Sequence, residues 1–177
     1  MIKQTLIPAA AALLLTAGVA QAETVEVYLL DMLDNIQEGY CLDIAGGQGP
    51  KADPDNGLQA HTCYSPSGEI FVDQGFTYEQ FADGTFYMPA FDVCMQAVSQ
   101  EAGSALDLVA CDGSDAQSFV FSSEGTITPA AASHLCVTAG EDTRTGRSQT
   151  NQIKSLTLEA CDDVLSAYQM WNVRTAE

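Results

Sequence analysis

Leu106-Asp107-Leu108-Val109-Ala110-Cys111 and Leu156-Thr157-Leu158-Glu159-Ala160-Cys161 share one frame, Leu-x-Leu-x-Ala-Cys. Its leucines alternate with other residues at the two-residue period of a β-strand. Leu58-Gln59-Ala60-His61-Thr62-Cys63 is a looser third copy, again with a leucine five residues before a cysteine. Each copy closes a segment that another cysteine opens: Cys41-Leu42-Asp43-Ile44, Cys94-Met95-Gln96-Ala97 and Cys136-Val137-Thr138-Ala139. In all three openings an apolar residue follows the cysteine and a polar one comes next. Six to eight residues beyond each closing cysteine stands a polar acceptor, any residue and an aromatic: Glu69-Ile70-Phe71, Gln117-Ser118-Phe119 and Gln169-Met170-Trp171. Three elements recur three times in one order, with a period of about 42 to 53 residues. Self-similarity of this kind marks an internal threefold repeat.

Outward from these frames the signals favour strands. Thr24-Val25-Glu26-Val27-Tyr28-Leu29 alternates polar and apolar, as Phe119-Val120-Phe121 does in part. Ala82-Asp83-Gly84-Thr85 and Ser123-Glu124-Gly125-Thr126 read as hairpin-like turns, with glycine supplying the positive φ. The one helix-like window, Asp31 to Glu38, precedes the first cysteine and is short enough to be a loop. Segments 53–56 and 141–151 are polar and turn-rich.

The N-terminus reads as a leader. Lys3 precedes an apolar stretch from about Leu6 to Ala20, and Ala20-Gln21-Ala22 offers the small-x-small pattern of a signal-peptidase site. Residues 1–22 are therefore expected to be removed, leaving one domain over 23–177, secreted or periplasmic. The apolar run is broken by Pro8 and Gly18 and is short for a bilayer span, so membrane insertion is not expected. All six cysteines lie beyond the leader, and an even count in an oxidising compartment points to disulfides. Six cysteines allow about 15 pairings, and their spacing alone leaves these open.

The chain carries 24 Asp+Glu against 6 Lys+Arg, a formal charge of -18. Such a surface repels phosphate backbones and anionic lipid, which excludes nucleic acid as a partner. At 46% hydrophobic residues the charge is no mark of disorder. Two histidines leave little room for His-based metal or triad chemistry. Asp53, Asp55 and Asn56 resemble the start of a Ca²⁺ loop, but Gly57 comes one position early and no closing glutamate follows. The Gly46-Gly47-Gln48-Gly49-Pro50 stretch reads as a flexible turn, because no Lys-Ser/Thr pair follows it to make a phosphate loop. No enzyme activity, metal or cofactor is expected.

The triplicated elements resemble the ricin B-type lectin domain, over about Thr24 to Val173. The resemblance implies an all-β fold, the β-trefoil: three repeats of four strands around a pseudo-threefold axis, here about 24–75, 76–121 and 122–177. It also implies one disulfide per repeat, Cys41–Cys63, Cys94–Cys111 and Cys136–Cys161. The Gln-x-aromatic elements are structural in that family. Phe71, Phe119 and Trp171 would fill the core, and Gln117 and Gln169 would satisfy backbone groups. Glu69 departs from the pattern, since a carboxylate cannot donate as an amide does.

Sugar sites of that family use a carboxylate two residues after the opening cysteine, a polar residue four before the closing one, and an aromatic two before it. An amide beside the motif glutamine completes them. The first repeat keeps the most: Asp43, Gln59 and His61, the last where Trp or Tyr is more usual. Gly68 stands where the amide would be. Asn56 and Tyr64 are near enough in sequence to contribute. The second repeat keeps only Asp107, alongside Gln96, Val109 and Ala116. The third has Thr138, Thr157, Glu159 and Tyr168. The function implied is carbohydrate binding at one degenerate site in the first repeat. The alternative is a trefoil that has lost sugar binding and serves as a protein-interaction or inhibitor scaffold.

Overall fold

The computed structural model describes residues 22–64 and 72–175, and they form a β-trefoil. Fourteen strands are present among them. The first repeat contributes β1 (Thr24–Leu29), β2 (Tyr40–Ile44), β3 (Leu58–Thr62) and β4 (Gly75–Thr77). The second contributes β5 (Tyr87–Met88), β6 (Val93–Ala97), β7 (Ser104–Val109) and β8 (Phe119–Phe121). The third contributes β9 (Ile127–Pro129), β10 (Leu135–Ala139), β13 (Leu156–Ala160) and β14 (Trp171–Thr175). It also carries an extra hairpin, β11 (Arg144–Thr145) and β12 (Gln152–Lys154). The Asp31-to-Glu38 window is a run of turns and bends, not a helix.

The cysteine frames become three equivalent hairpins. In each, the residue two after the opening cysteine pairs with the residue four before the closing one: Asp43 with Gln59, Gln96 with Asp107, Thr138 with Thr157. That register brings each cysteine pair to a Cα separation of 5.0 to 5.1 Å, within the span a disulfide bridges. Cys41–Cys63, Cys94–Cys111 and Cys136–Cys161 are the three bonds.

Apolar residues from every repeat converge on one core. Trp171, Phe76, Phe86 and Phe119 are fully buried, with Leu42, Met95 and Val137 from the hairpins beside them. The Trp171 indole N–H is satisfied by the Val137 carbonyl at 2.9 Å. The second and third repeats each close at a glycine. Gly84 and Gly125 have φ of 78° and 107°, and each accepts the amide of an aromatic, Phe119 and Trp171 respectively. A Cβ at either glycine would lie 2.7 Å from the carbonyl oxygen of that aromatic, so the approach needs glycine. Of the two expected turns, Ser123–Thr126 closes the β8–β9 hairpin, whereas 82–85 ends a 3₁₀ turn linking β4 to β5.

One expectation is corrected. Glu69 and Phe71 lie outside the described residues, and the place expected of them in the first repeat is taken by Gln74 and Phe76. The Gln74 amide oxygen accepts from the Tyr64 N–H at 3.2 Å, and its nitrogen donates to the Thr62 carbonyl at 3.1 Å. Gln117 makes the same pair of bonds to Asp112 and Ala110, and Gln169 to Asp162 and Ala160. In each repeat these are the residues flanking the closing cysteine. The first repeat has a longer loop there, which places its glutamine eleven residues beyond Cys63. An amide can accept and donate at once; a glutamate at that position could not.

Candidate functional site

The hairpin register sets the floor of the site. β3 presents Gln59 and His61 on one face, because side chains two residues apart in a strand point the same way. Beside them the 3₁₀ turn Val72–Gln74 places Asp73, directly before the motif glutamine. The glycine-rich segment 46–49 folds over Asp73: its Oδ2 accepts from the Gly49 N–H at 2.7 Å. A Cβ on Gly47 would lie 2.7 Å from that same oxygen, so this segment is a fitted cradle for a carboxylate.

A wall comes from the third repeat. β12 pairs with β3, setting Ile153 opposite His61, and β11 pairs with β12. The segment 141–151, read from the sequence as a loop, thus carries β11, and with β12 just beyond it two strands are added to the first repeat's sheet edge. Lys154 fastens it: the buried ammonium donates to the Glu141 carbonyl and the Thr143 hydroxyl, and lies 3.3 Å from Asp34. Asp34 also accepts from the Tyr40 and Thr143 hydroxyls at 2.7 and 2.6 Å. Partial burial would raise its pKa, but those hydroxyls and Lys154 outweigh it and hold the carboxyl down at about 2.

Between these parts lies a cavity of about 630 Å³, lined chiefly by Gln59, His61, Tyr64, Asp73, Arg144 and Arg147. Arg144 donates to the Gln59 amide oxygen at 3.1 Å. His61 donates from Nδ1 to the Thr62 carbonyl at 3.0 Å, and burial lowers its pKa, so the ring is neutral with Nε2 left as an acceptor. Tyr64 packs beside it, ring centroids 5.3 Å apart, and burial pushes its phenol up to about 12. Asp73 is 2% exposed, and its Oδ1 has no hydrogen-bond partner among the described residues. A buried carboxylate oxygen without a donor is costly, and a hydroxyl brought by a ligand would satisfy it.

The expected residues are thus only partly brought together. Gln59, His61 and Tyr64 line the cavity. Asp43 stands behind them, with Oδ1 accepting from Gln59 at 2.8 Å and Oδ2 from Gln74 at 2.9 Å. Burial raises its pKa to about 7, against the pull of the two amides, and nearby Asp73 adds to the rise. Asn56 is exposed at the end of a 3₁₀ turn and does not line the cavity. Asp107 is half-buried opposite Gln96 and does not line the second repeat's cavity, which Tyr87, Asp92 and Gln117 border. The third repeat's Thr138, Thr157, Glu159 and Tyr168 do converge on a smaller cavity of about 400 Å³.

Asp73, Gln74, Arg144 and Arg147 were missed in the sequence. A signal for Gln74 was there, since Gln74-Gly75-Phe76 carries a true glutamine. The spacing of six to eight residues pointed to Glu69 instead. Nothing in the sequence tied the arginines to the first repeat. Metal ligation finds no support in the one His/Cys/carboxylate grouping among the described residues, Glu26 with Cys41 and Cys63. Its sulfurs are joined to each other, and Glu26 pairs with Arg174.

Solved structures share this architecture. An agglutinin from Abrus precatorius superposes with a TM-score of 0.61 at 17% identity, over 90% of this chain and 51% of that one, so the chain spans about half of the agglutinin's length. The mdaA-1 domain gives 0.63 at 16% identity, over 94% and 98% of the two chains. An earthworm lectin C-terminal domain mutant in complex with 6'-sialyllactose gives 0.55 at 15% identity, over 86% and 98%. No curated protein matches the sequence. The family profile of the ricin-type β-trefoil lectin domain matches residues 31–171, which contain all three disulfides, all three motif glutamines and the first-repeat cavity. With that span matched and the repeat geometry in place, the chain belongs to the ricin-type β-trefoil lectin domain family.

Proposed function

We propose that the chain is an exported, non-enzymatic carbohydrate-binding protein, and that the first-repeat cavity holds the sugar. The observation that carries the reading is a cavity large enough for a sugar, lined by Gln59, His61, Tyr64 and the buried Asp73, whose Oδ1 has no hydrogen-bond partner among the described residues. A sugar hydroxyl donates to it in a charge-assisted bond, and the cradle at Gly49 keeps the carboxylate from turning away. Gln59 and the His61 Nε2 offer further polar contacts, and the paired His61 and Tyr64 rings give the C–H face of a pyranose a surface to rest on. Asp43 acts through Gln59 and Gln74, which it holds in place. The earthworm lectin domain bound to 6'-sialyllactose supports the reading at the level of the fold. Export follows from the leader, and purified mature protein should begin at Glu23 by N-terminal sequencing.

A glycan array, followed by calorimetry on the best ligand, tests the reading. Asp73→Asn should weaken binding by about tenfold or more, the worth of one charge-assisted hydrogen bond. Failure of the folded wild-type protein to bind any glycan would leave the protein-interaction scaffold as the better account.

A further inference from the structure

We infer that the first-repeat cavity selects a sugar carrying an anionic oxygen group, a carboxylate or a sulfate ester, and that Arg144 and Arg147 hold that group. The inference rests on the carbohydrate-binding reading above and names the class of sugar. Six basic residues are present in the whole sequence, and two of them line this one cavity. Others are already engaged: Lys154 with Asp34 and Thr143, and Arg174 with Glu26. Arg144 contributes one guanidinium nitrogen to Gln59, which fixes the direction of the group and leaves the rest of its donor fork available. Arg147 has no hydrogen-bond or ion-pair partner among the described residues. Both guanidinium groups therefore stand at the cavity without a carboxylate of their own.

The acid that shares the cavity does not neutralise them. Asp73 gives one oxygen to Gly49 and keeps the other without a partner, and neither arginine forms an ion pair with it. The cavity thus offers both a hydroxyl acceptor and planar cations that form no ion pair with it. A neutral sugar answers only the first. A uronic or sulfated sugar answers both, because a guanidinium fork matches the two coplanar oxygens of a carboxylate, or two of a sulfate. The overall charge of -18 repels anions at long range, so the preference has to arise from contact with these two groups.

Calorimetry on the full mature chain tests this with methyl glycosides of the gluco, galacto and manno series. Each is offered as the neutral sugar, the 6-carboxylate and the 6-sulfate. At least one anionic member should bind about tenfold or more tighter than its neutral parent. Arg147→Gln and Arg144→Gln should each bring that ratio to within about threefold, with thermal melting unchanged for the exposed Arg147. Neutral parents binding as tightly as every anionic derivative would overturn the inference and leave the carbohydrate reading standing. An anion preference that survives both substitutions would place the anionic group elsewhere and overturn the inference too. Binding of none of the series by folded protein would overturn both.

Discussion

Arg144 of the third repeat donates to the amide oxygen of Gln59 in the first, at 3.1 Å and across 85 residues of sequence. The bond joins a strand that every repeat possesses to a hairpin that, among the described residues, only the third repeat has grown. It also fixes which way the Gln59 amide faces: oxygen to Arg144, nitrogen to Asp43. The candidate site is therefore a property of two repeats in contact, and its variants test the fold as well as the function.

Gln74 is the first repeat's motif glutamine. Gln74→Leu removes bonds to Tyr64, Thr62 and Asp43, all at buried or half-buried groups. Chemical denaturation should show a loss of about 2–4 kcal/mol, from about 1 kcal/mol per bond plus the cost of groups left unpaired. A loss below about 0.5 kcal/mol would return the motif role to another residue.

Asp43 makes stability depend on pH in an unusual direction. Its pKa is about 7 when folded and 3.8 in the unfolded reference, so between these values the folded chain keeps a proton that the unfolded chain releases. Its contribution to stability is full below about pH 4 and is lost as pH rises through 7. The difference in unfolding free energy between wild type and Asp43→Asn should slope with pH across that window, by at most about 1.4 kcal/mol per unit. A difference that stays flat from pH 4 to 7.5 would show that Asp43 is not the titrating group.

Lys154 fastens the extra hairpin to the first repeat. Lys154→Met keeps the volume of the stem but gives up the contacts to Asp34, Thr143 and Glu141. Global stability should fall by about 1–3 kcal/mol, reduced because Asp34 is itself 55% exposed. Hydrogen exchange should rise chiefly at residues 144–153, and sugar affinity should fall with it because that hairpin carries Arg144. Unchanged exchange in this segment would mean that strand pairing with β3 holds the hairpin unaided.

The three disulfides should each stay within one repeat on non-reducing peptide mapping. Replacing Cys94 and Cys111 together by alanine opens a loop with a sequence separation of 17 and should cost about 3 kcal/mol. Sugar binding should survive at a temperature where the variant remains folded, because the first-repeat cavity uses no residue of that loop.

The sequence by itself determined the repeat, the strand character of its frames and, through the family resemblance, the trefoil and its cysteine pairs. The repeat and its strands follow from short-range periodicity, a leucine every second residue with a cysteine at each end in three copies, whereas the trefoil and the pairing come from the resemblance alone. Gln59 and His61 were legible through the same resemblance, at the family's offsets from Cys63, and Tyr64 only as their neighbour in sequence. Tertiary structure alone decided what those offsets do not reach. Gln74 rather than Glu69 fills the motif position, because a longer loop still has to deliver an amide that both donates and accepts at the same two backbone groups. Asp43 sits behind the cavity because two amides claim both its oxygens. Asp73, the cradle at Gly47 and Gly49, and the two arginines belong to loops without a period. They meet only when the third repeat's hairpin lies along β3, a long-range contact that no local spacing encodes.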